Sequence, residues 1–405
     1  MEEKKINKFL NIEKMVSTCE PVYNKMQEYG LINITGKFIE RDIIETKDGH
    51  RVLNMSSCCY LGINDHPEVK KGLHKGIDDA GGVMQLVNAG FRIRLSLQDE
   101  VSEEFSNFYK APCWVTTNCG MAALGTLPML AAGIFTEGIR PTMVFDKNAH
   151  FCMNYMKANC NDETEVITIQ HNDFEALEKL CQEKEKIAYI CESVYSTGGI
   201  TNYDKIIELQ EKYNMYIYID EAHGISIMGE NGKGMILGNK KLLNKNTMII
   251  ASLSKGFGAN GGGLIICYDK HYIELIKRYG GPMLWTAPLG SAIWGGIREA
   301  LKLHQNGSVE ILQAELRKKV KLFDELMEIN VGEEISAVRL IKIEDETKLF
   351  KIGKFLYDKG YYVSTLTFPT VKRSDSGLRI MIRSNMYDSE IREFVSLLKG
   401  ALCKI

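Results

Sequence analysis

Between about residue 46 and residue 285, short apolar runs alternate with helical stretches, and this alternation restricts the possible folds more than any other feature of the chain. The runs are Thr142 to Asp146, Glu165 to Gln170, Ile187 to Glu192, Met215 to Asp220 and Met248 to Ser252, with helical intervals such as Phe174 to Lys184 and Ile206 to Tyr213. A strand followed by a helix and another strand is the unit of a parallel sheet, and such a sheet is covered on both faces. The pattern changes at about 290. Helices at Ser291 to Gln305 and Ile311 to Ile329 precede short strands and a closing helix, Asp388 to Leu402, which is an α+β arrangement. At the other end a helical arm, Ile12 to Tyr29, leads to a short β segment. A chain of 405 residues exceeds one small core. Three parts are expected: an arm over 1–45, a large α/β domain over 46–288 and a small C-terminal α+β domain over 289–405.

Two polar groups stand where such a sheet opens. The segment Ser252-Leu253-Ser254-Lys255-Gly256 follows the apolar run Thr247 to Ala251, so Lys255 sits at the mouth of the sheet. Its small neighbours leave it poorly solvated, which favours the neutral amine that forms a Schiff base. The hydroxyls of Ser252 and Ser254 and the nearby glycine amides suit a phosphate, although Ser-Lys-Gly also occurs in ordinary surface turns. The run Met215 to Ile219 ends in Asp220-Glu221-Ala222-His223-Gly224, at the strand end where open α/β sheets build their sites. Pyridoxal phosphate needs such a carboxylate to keep its ring nitrogen protonated, so that the ring accepts carbanion electrons. Read alone, Asp220 also suits a cap on a strand-to-helix turn. An Asp and a Lys on successive strand ends favour the cofactor.

The chain resembles the α-oxoamine synthase family of pyridoxal-phosphate enzymes from about Asn54 to about Ile391. Motifs follow in family order: Tyr60-Leu61-Gly62 with His66-Pro67, Asp146 with Ala149-His150, His171-Asn172-Asp173 and Glu192-Ser193-Val194-Tyr195-Ser196. Asp220 to Gly224, Gly229 to Gly234, Ser252 to Lys255, Pro369-Thr370-Val371 and Leu378-Arg379-Ile380 complete the series. The resemblance implies the aminotransferase fold type I: a large domain with a mostly parallel, seven-stranded-type sheet, a smaller α+β domain, and a homodimer that builds each site from both subunits.

It also implies residue roles. Lys255 is the lysine that binds the cofactor covalently, and Asp220 is the partner of the ring nitrogen. His150 stacks on the ring, while Ser196 and His223 bond the phenolic oxygen. Ser252 contacts the phosphate, together with a turn at a helix start, Asn118-Cys119. Thr286 reaches the partner subunit's phosphate. Arg379 grips the amino-acid carboxylate through two parallel bonds. Arg383, four residues along, is read as an outward or interface residue; His171 to Asp173 read as structural, and His66 as fixing the turn before Pro67. The implied reaction joins a small amino acid to an acyl thioester on coenzyme A or acyl carrier protein, with Lys255 as general base, His150 assisting proton delivery, and usually loss of carbon dioxide. The product is an α-aminoketone, which makes the chain an acyltransferase.

Departures bear on the substrate. In the stretch Gly81 to Gln98, Gln98 replaces a family histidine and Asn88-Ala89 replaces a Ser/Thr-Arg pair, while Cys58 stands near a substrate-facing asparagine. The loop Val83 to Leu97, with Cys58 and Asn88, is expected to shape the substrate pockets. Together with Val194 to Thr197, the altered loop resembles the family's quorum-sensing autoinducer synthases, which make long-chain aminoketones. Two further readings stay open, another fold type I enzyme (aminotransferase or lyase) and a non-catalytic partner subunit; Lys255 argues against the second.

Bulk properties fit a cytoplasmic enzyme. A net charge of −2 with 25% charged residues gives no reason to expect nucleic acid or an acidic membrane surface. Residues 1–20 carry no signal-peptide-like apolar run, and no stretch approaches the roughly 18–20 apolar residues of a membrane span. The eleven cysteines include no Cys-x-x-Cys pair, so neither zinc nor a disulfide framework is expected.

Overall fold

The computed structural model describes residues 8–9, 12–82, 87–238, 243–330 and 336–405. Packing divides the chain into two units. One comprises Ile63–Ser196 and Ile200–Gln313; the other comprises Met1–Gly62, Thr197–Gly199 and Ala314–Ile405.

The first unit is built on a seven-stranded sheet. Its strands are β1 (Cys113–Thr116), β2 (Thr142–Asp146), β3 (Val166–Ile169), β4 (Ile187–Glu192), β5 (Tyr216–Asp220), β6 (Thr247–Ser252) and β7 (Gly263–Cys267). Their spatial order is β1-β7-β6-β5-β4-β2-β3. Neighbours from β6 through β3 run parallel, and β7 is antiparallel to both β6 and β1. The sheet is therefore mostly parallel. Every residue of β2, β4, β5, β6 and β7 is buried. A strand covered on both faces has no solvent side for alternating polar residues, which is why these segments read as continuous apolar runs.

The turn after β6 is linked to the chain leaving β1. Gly263 pairs with Ser252 on one side and Thr116 on the other, and the Gly262 amide donates to the Thr117 carbonyl at 3.0 Å. A Cβ on Gly263 would strike the backbone of Asn118 and Cys119. The glycine is thus needed for close backbone approach. Elsewhere in this unit the His66 side chain caps the helix Pro67–Asp79, accepting from the Glu68 amide at 3.2 Å. His171 Nδ1 pairs with Asp146 at 3.1 Å, and Asp173 caps Phe174–Glu183.

The second unit holds two small sheets. Strand Gly377–Met381 lies between Val338–Lys342 and Ser364–Leu366, antiparallel to both. Strands Gly36–Glu40, Ile43–Thr46 and Arg51–Asn54 form a meander, which Tyr361–Tyr362 extends in parallel. Arg383 corrects the sequence reading. It is fully buried rather than outward, with Nε 3.3 Å from Asp42 Oδ2 and Nη1 donating to the Asn54 carbonyl at 2.6 Å. The strand stops at Met381, and Arg383 follows it into the interior beside Asp42. Among the described residues no helix is long and apolar enough to cross a membrane.

Candidate active site

The carboxyl ends of β4, β5 and β6 bring Glu192, Asp220 and Ser252 to one edge of the sheet. Asp220 is 2% exposed, and its Oδ1 accepts the Ala222 amide at 2.7 Å. That bond fixes the carboxylate as the chain turns out of β5. Its Oδ2 is met by the Cys119 thiol at 3.7 Å.

Lys255 lies in the turn after β6, with Leu253 and Phe257 on either side fully buried. The Gly258 amide closes onto the Lys255 carbonyl at 2.9 Å, and the Ala259 amide onto the Leu253 carbonyl at 2.9 Å. Two buried anchors and two short backbone bonds limit where the lysine can point. Its Nζ lies 2.8 Å from Nε2 of His223, itself 3% exposed. Ser252 Oγ accepts the Ser254 amide at 3.3 Å, so this hydroxyl helps shape the turn. Ser196, in the same unit, follows β4 and is half-buried.

The helix Cys119–Ala131 starts at the turn packed against Gly263. The Asn118 side chain caps it by accepting the Met121 amide at 2.9 Å. Among the described residues, the Cys119 and Gly120 amides have no protein acceptor. Unpaired amides at a helix start form an anion site.

His150 caps the next short helix, Nδ1 accepting from the Cys152 amide at 3.2 Å. Its hydrogen bond with Cys152 raises the histidine pKa against the opposing effect of burial. The Cys152 thiol is pulled down to about 6, first by hydrogen bonding from Cys119, then by His150. The same contact pushes the Cys119 thiol up. Sequence spacing held no sign that these cysteines meet, because the fold brings them together from separate helices. Glu192 stands in the motif Glu192 to Ser196, yet the motif reading assigns it no role. It is 1% exposed, and burial, followed by the charge of Asp220, raises its carboxyl well above the ordinary range. Its position at the end of an apolar run is the same signal that picked out Asp220.

Asn88 Nδ2 donates to Thr286 Oγ1 at 3.3 Å, and that hydroxyl donates to the Pro282 carbonyl at 2.6 Å. Of the loop Val83 to Leu97, residues 83–86 lie outside the described residues. In the second unit, Arg379 sits on Gly377–Met381 with its Nε buried and unpartnered. Cys58 is half-buried in that unit, its carbonyl accepting the Tyr60 amide at 2.8 Å.

The arrangement is that of a fold type I transferase. The family model for aminotransferase class I and II matches residues 148–398, and the chain belongs to that family. The sequences and solved structures it is similar to include enzymes named as 8-amino-7-oxononanoate synthase and serine palmitoyltransferase. It is 28% identical over 350 residues to the 8-amino-7-oxononanoate synthase of Coprothermobacter proteolyticus, covering 83% of this chain and 84% of that one. The structure of serine palmitoyltransferase from Sphingomonas wittichii matches with a TM-score of 0.83 at 19% identity, over 96% of this chain and 98% of the other. That of 8-amino-7-oxononanoate synthase from Francisella tularensis matches with a TM-score of 0.72 at 19% identity, over 87% and 98%.

Proposed function

We propose that this chain is a pyridoxal-phosphate-dependent acyltransferase. It condenses a small amino acid with an acyl thioester, with loss of carbon dioxide, to give an α-aminoketone. The observation that carries the reading is the Lys255 amine held 2.8 Å from His223 beside the strand that Asp220 closes. The relatives' names, a synthase and a palmitoyltransferase, support acyl transfer over an aminotransferase or a lyase.

The residues fit the cofactor. Among the described residues Asp220 Oδ2 meets only a long thiol contact of 3.7 Å, which leaves it available to a protonated ring nitrogen. The unpaired Cys119 and Gly120 amides suit a phosphate, with Ser252 beside them through the Gly263 pairing. His150 and Ser196 are proposed to contact the ring. When bound, the cofactor supplies an aldehyde for attachment and a protonated ring that delocalises the electron pair left at the α-carbon.

The protein's own groups do the rest. Lys255 Nζ takes the α-proton, and His223 Nε2 orients that amine. Arg379 has no ionic partner among the described residues, and an uncompensated guanidinium suits the amino-acid carboxylate. His150 is assigned to proton delivery. Cys58 and Asn88 are assigned to shaping the substrate pockets. We further propose a cytoplasmic homodimer in which Thr286 reaches the partner's phosphate. In support, Trp285 next to it is 74% exposed, as are Phe91 at 67% and Ile93 at 83%. Exposed large apolar groups mark contact surfaces.

The test is to load the protein with pyridoxal phosphate and offer small amino acids with and without acyl-CoAs. Carbon dioxide and free thiol are expected only when both substrates are present. Production of a keto acid from the amino acid alone would overturn the reading.

A further inference from the structure

We propose that the cofactor-free protein binds a thiophilic divalent cation, of the Zn2+ class, through Cys119 Sγ, Cys152 Sγ and an Asp220 oxygen. The cation and pyridoxal phosphate then exclude one another.

The three ligand atoms lie within 4.8 Å of one another. The Cys119 Sγ to Asp220 Oδ2 separation is 3.7 Å. A tetrahedral zinc ion with Zn–S of about 2.3 Å and Zn–O of about 2.1 Å has an S···O edge of about 3.6 Å. That pair is therefore already spaced as ligands, and the Cys152 sulfur lies within 4.8 Å of both. Thiolate sulfur selects zinc and its soft congeners over magnesium or calcium.

The ligands come from three elements: the first turn of Cys119–Ala131, the short helix Phe151–Asn154, and the end of β5. Their backbones are anchored independently. Asn118 caps the first helix, His150 caps the second, and the Ala222 amide holds the other Asp220 oxygen at 2.7 Å. Such anchoring preorganises the donors. Three protein ligands leave one position for water, the pattern of an open zinc site. Binding releases the thiol protons to solvent, so uptake of the metal acidifies an unbuffered solution.

Mutual exclusion rests on the proposed function, which assigns Asp220 to the cofactor's ring nitrogen. One carboxylate oxygen cannot serve a protonated ring and a metal ion together.

The experiment uses the full chain freed of cofactor and metal. Zn2+ is titrated against a chromophoric chelator, and Co2+ is added to a parallel sample to read sulfur-to-cobalt charge transfer. One equivalent of tight binding and a thiolate–cobalt band are expected. Cys119→Ser and Cys152→Ser, each checked for native fold by circular dichroism, should weaken zinc at least about a hundredfold, since losing even an outer-sphere partner costs 10–100-fold. Unchanged zinc affinity in both variants, or no thiolate–cobalt band in the native protein, overturns the site. Added pyridoxal phosphate should release the zinc; retention of one equivalent with cofactor bound overturns the exclusion. Cofactor uptake is measured separately by absorbance on metal-free protein. A chain that takes zinc but no cofactor supports the metal site and refutes the proposed function.

Discussion

Glu192 and Asp220 face each other in the register of β4 and β5, both at most 2% exposed. Burial, and then the neighbouring Asp220 charge, raise the Glu192 carboxyl well above the ordinary range. Glu192→Gln keeps a neutral, hydrogen-bonding group and should leave turnover within about tenfold of native. Asp220→Asn removes the charge that keeps a ring nitrogen protonated and should cost a hundredfold or more, on the order of losing a preorganised electrostatic contact. Steady-state rates for the two variants decide the matter; equal losses would remove the distinction between the two carboxylates.

Lys255→Ala tests the anchor. Borohydride should tag a Lys255 peptide with cofactor in the native protein and no peptide in the variant, as read by mass spectrometry. Turnover should fall by orders of magnitude, because the variant lacks both attachment point and base. Cofactor should still bind non-covalently through Asp220 and the helix start. A variant with near-native acyl transfer removes Lys255 from the mechanism.

Much of the sheet is legible from composition alone, for a physical reason. β2, β4, β5 and β6 are buried throughout, so apolar runs mark them, and the polar residues Asp220 and Lys255 stand out at or just past the ends of those runs. β7 is hidden because it opens from the glycines 261–263, which read as a turn. Only the close approach of Asn118 and Cys119 explains Gly263. The meeting of Cys119 and Cys152 is a tertiary event that no linear spacing encodes. Arg383 is misread because its burial depends on an aspartate, Asp42, from the other end of the chain, which no local spacing reveals.

The two arginines of the second unit now have opposite expected phenotypes. Arg379→Ala removes a charge-assisted contact worth roughly 1.5–3 kcal/mol per bond, so amino-acid binding should weaken at least about tenfold with stability little changed. Arg383→Ala strands Asp42 in the interior. Breaking a buried pair costs on the order of 3–5 kcal/mol, so urea unfolding should shift to lower denaturant. If Arg379→Ala unfolds easily and Arg383→Ala loses only amino-acid affinity, the assignment is inverted.

Glu221 makes the stability of the protein depend on pH in a direction opposite to that of a salt-bridged acid. It is 2% exposed, and burial raises its pKa to about 7, even though Oε1 accepts the Ile236 amide at 2.7 Å and Oε2 accepts the Ser193 hydroxyl at 2.7 Å. Between the unfolded value of about 4.3 and the folded value near 7, the native state binds more protons than the unfolded chain. Its contribution is therefore fully present below about pH 4.3 and is lost as pH rises through 7, a change of up to about 4 kcal/mol. Glu221→Gln accepts from the Ile236 amide and meets the Ser193 hydroxyl without any titration. The variant should thus gain relative to the native protein as pH is raised from 5 to 8, measured as the difference in Tm at each pH. A difference that stays flat, or that moves toward the native protein at high pH, shows that Glu221 is ionised throughout.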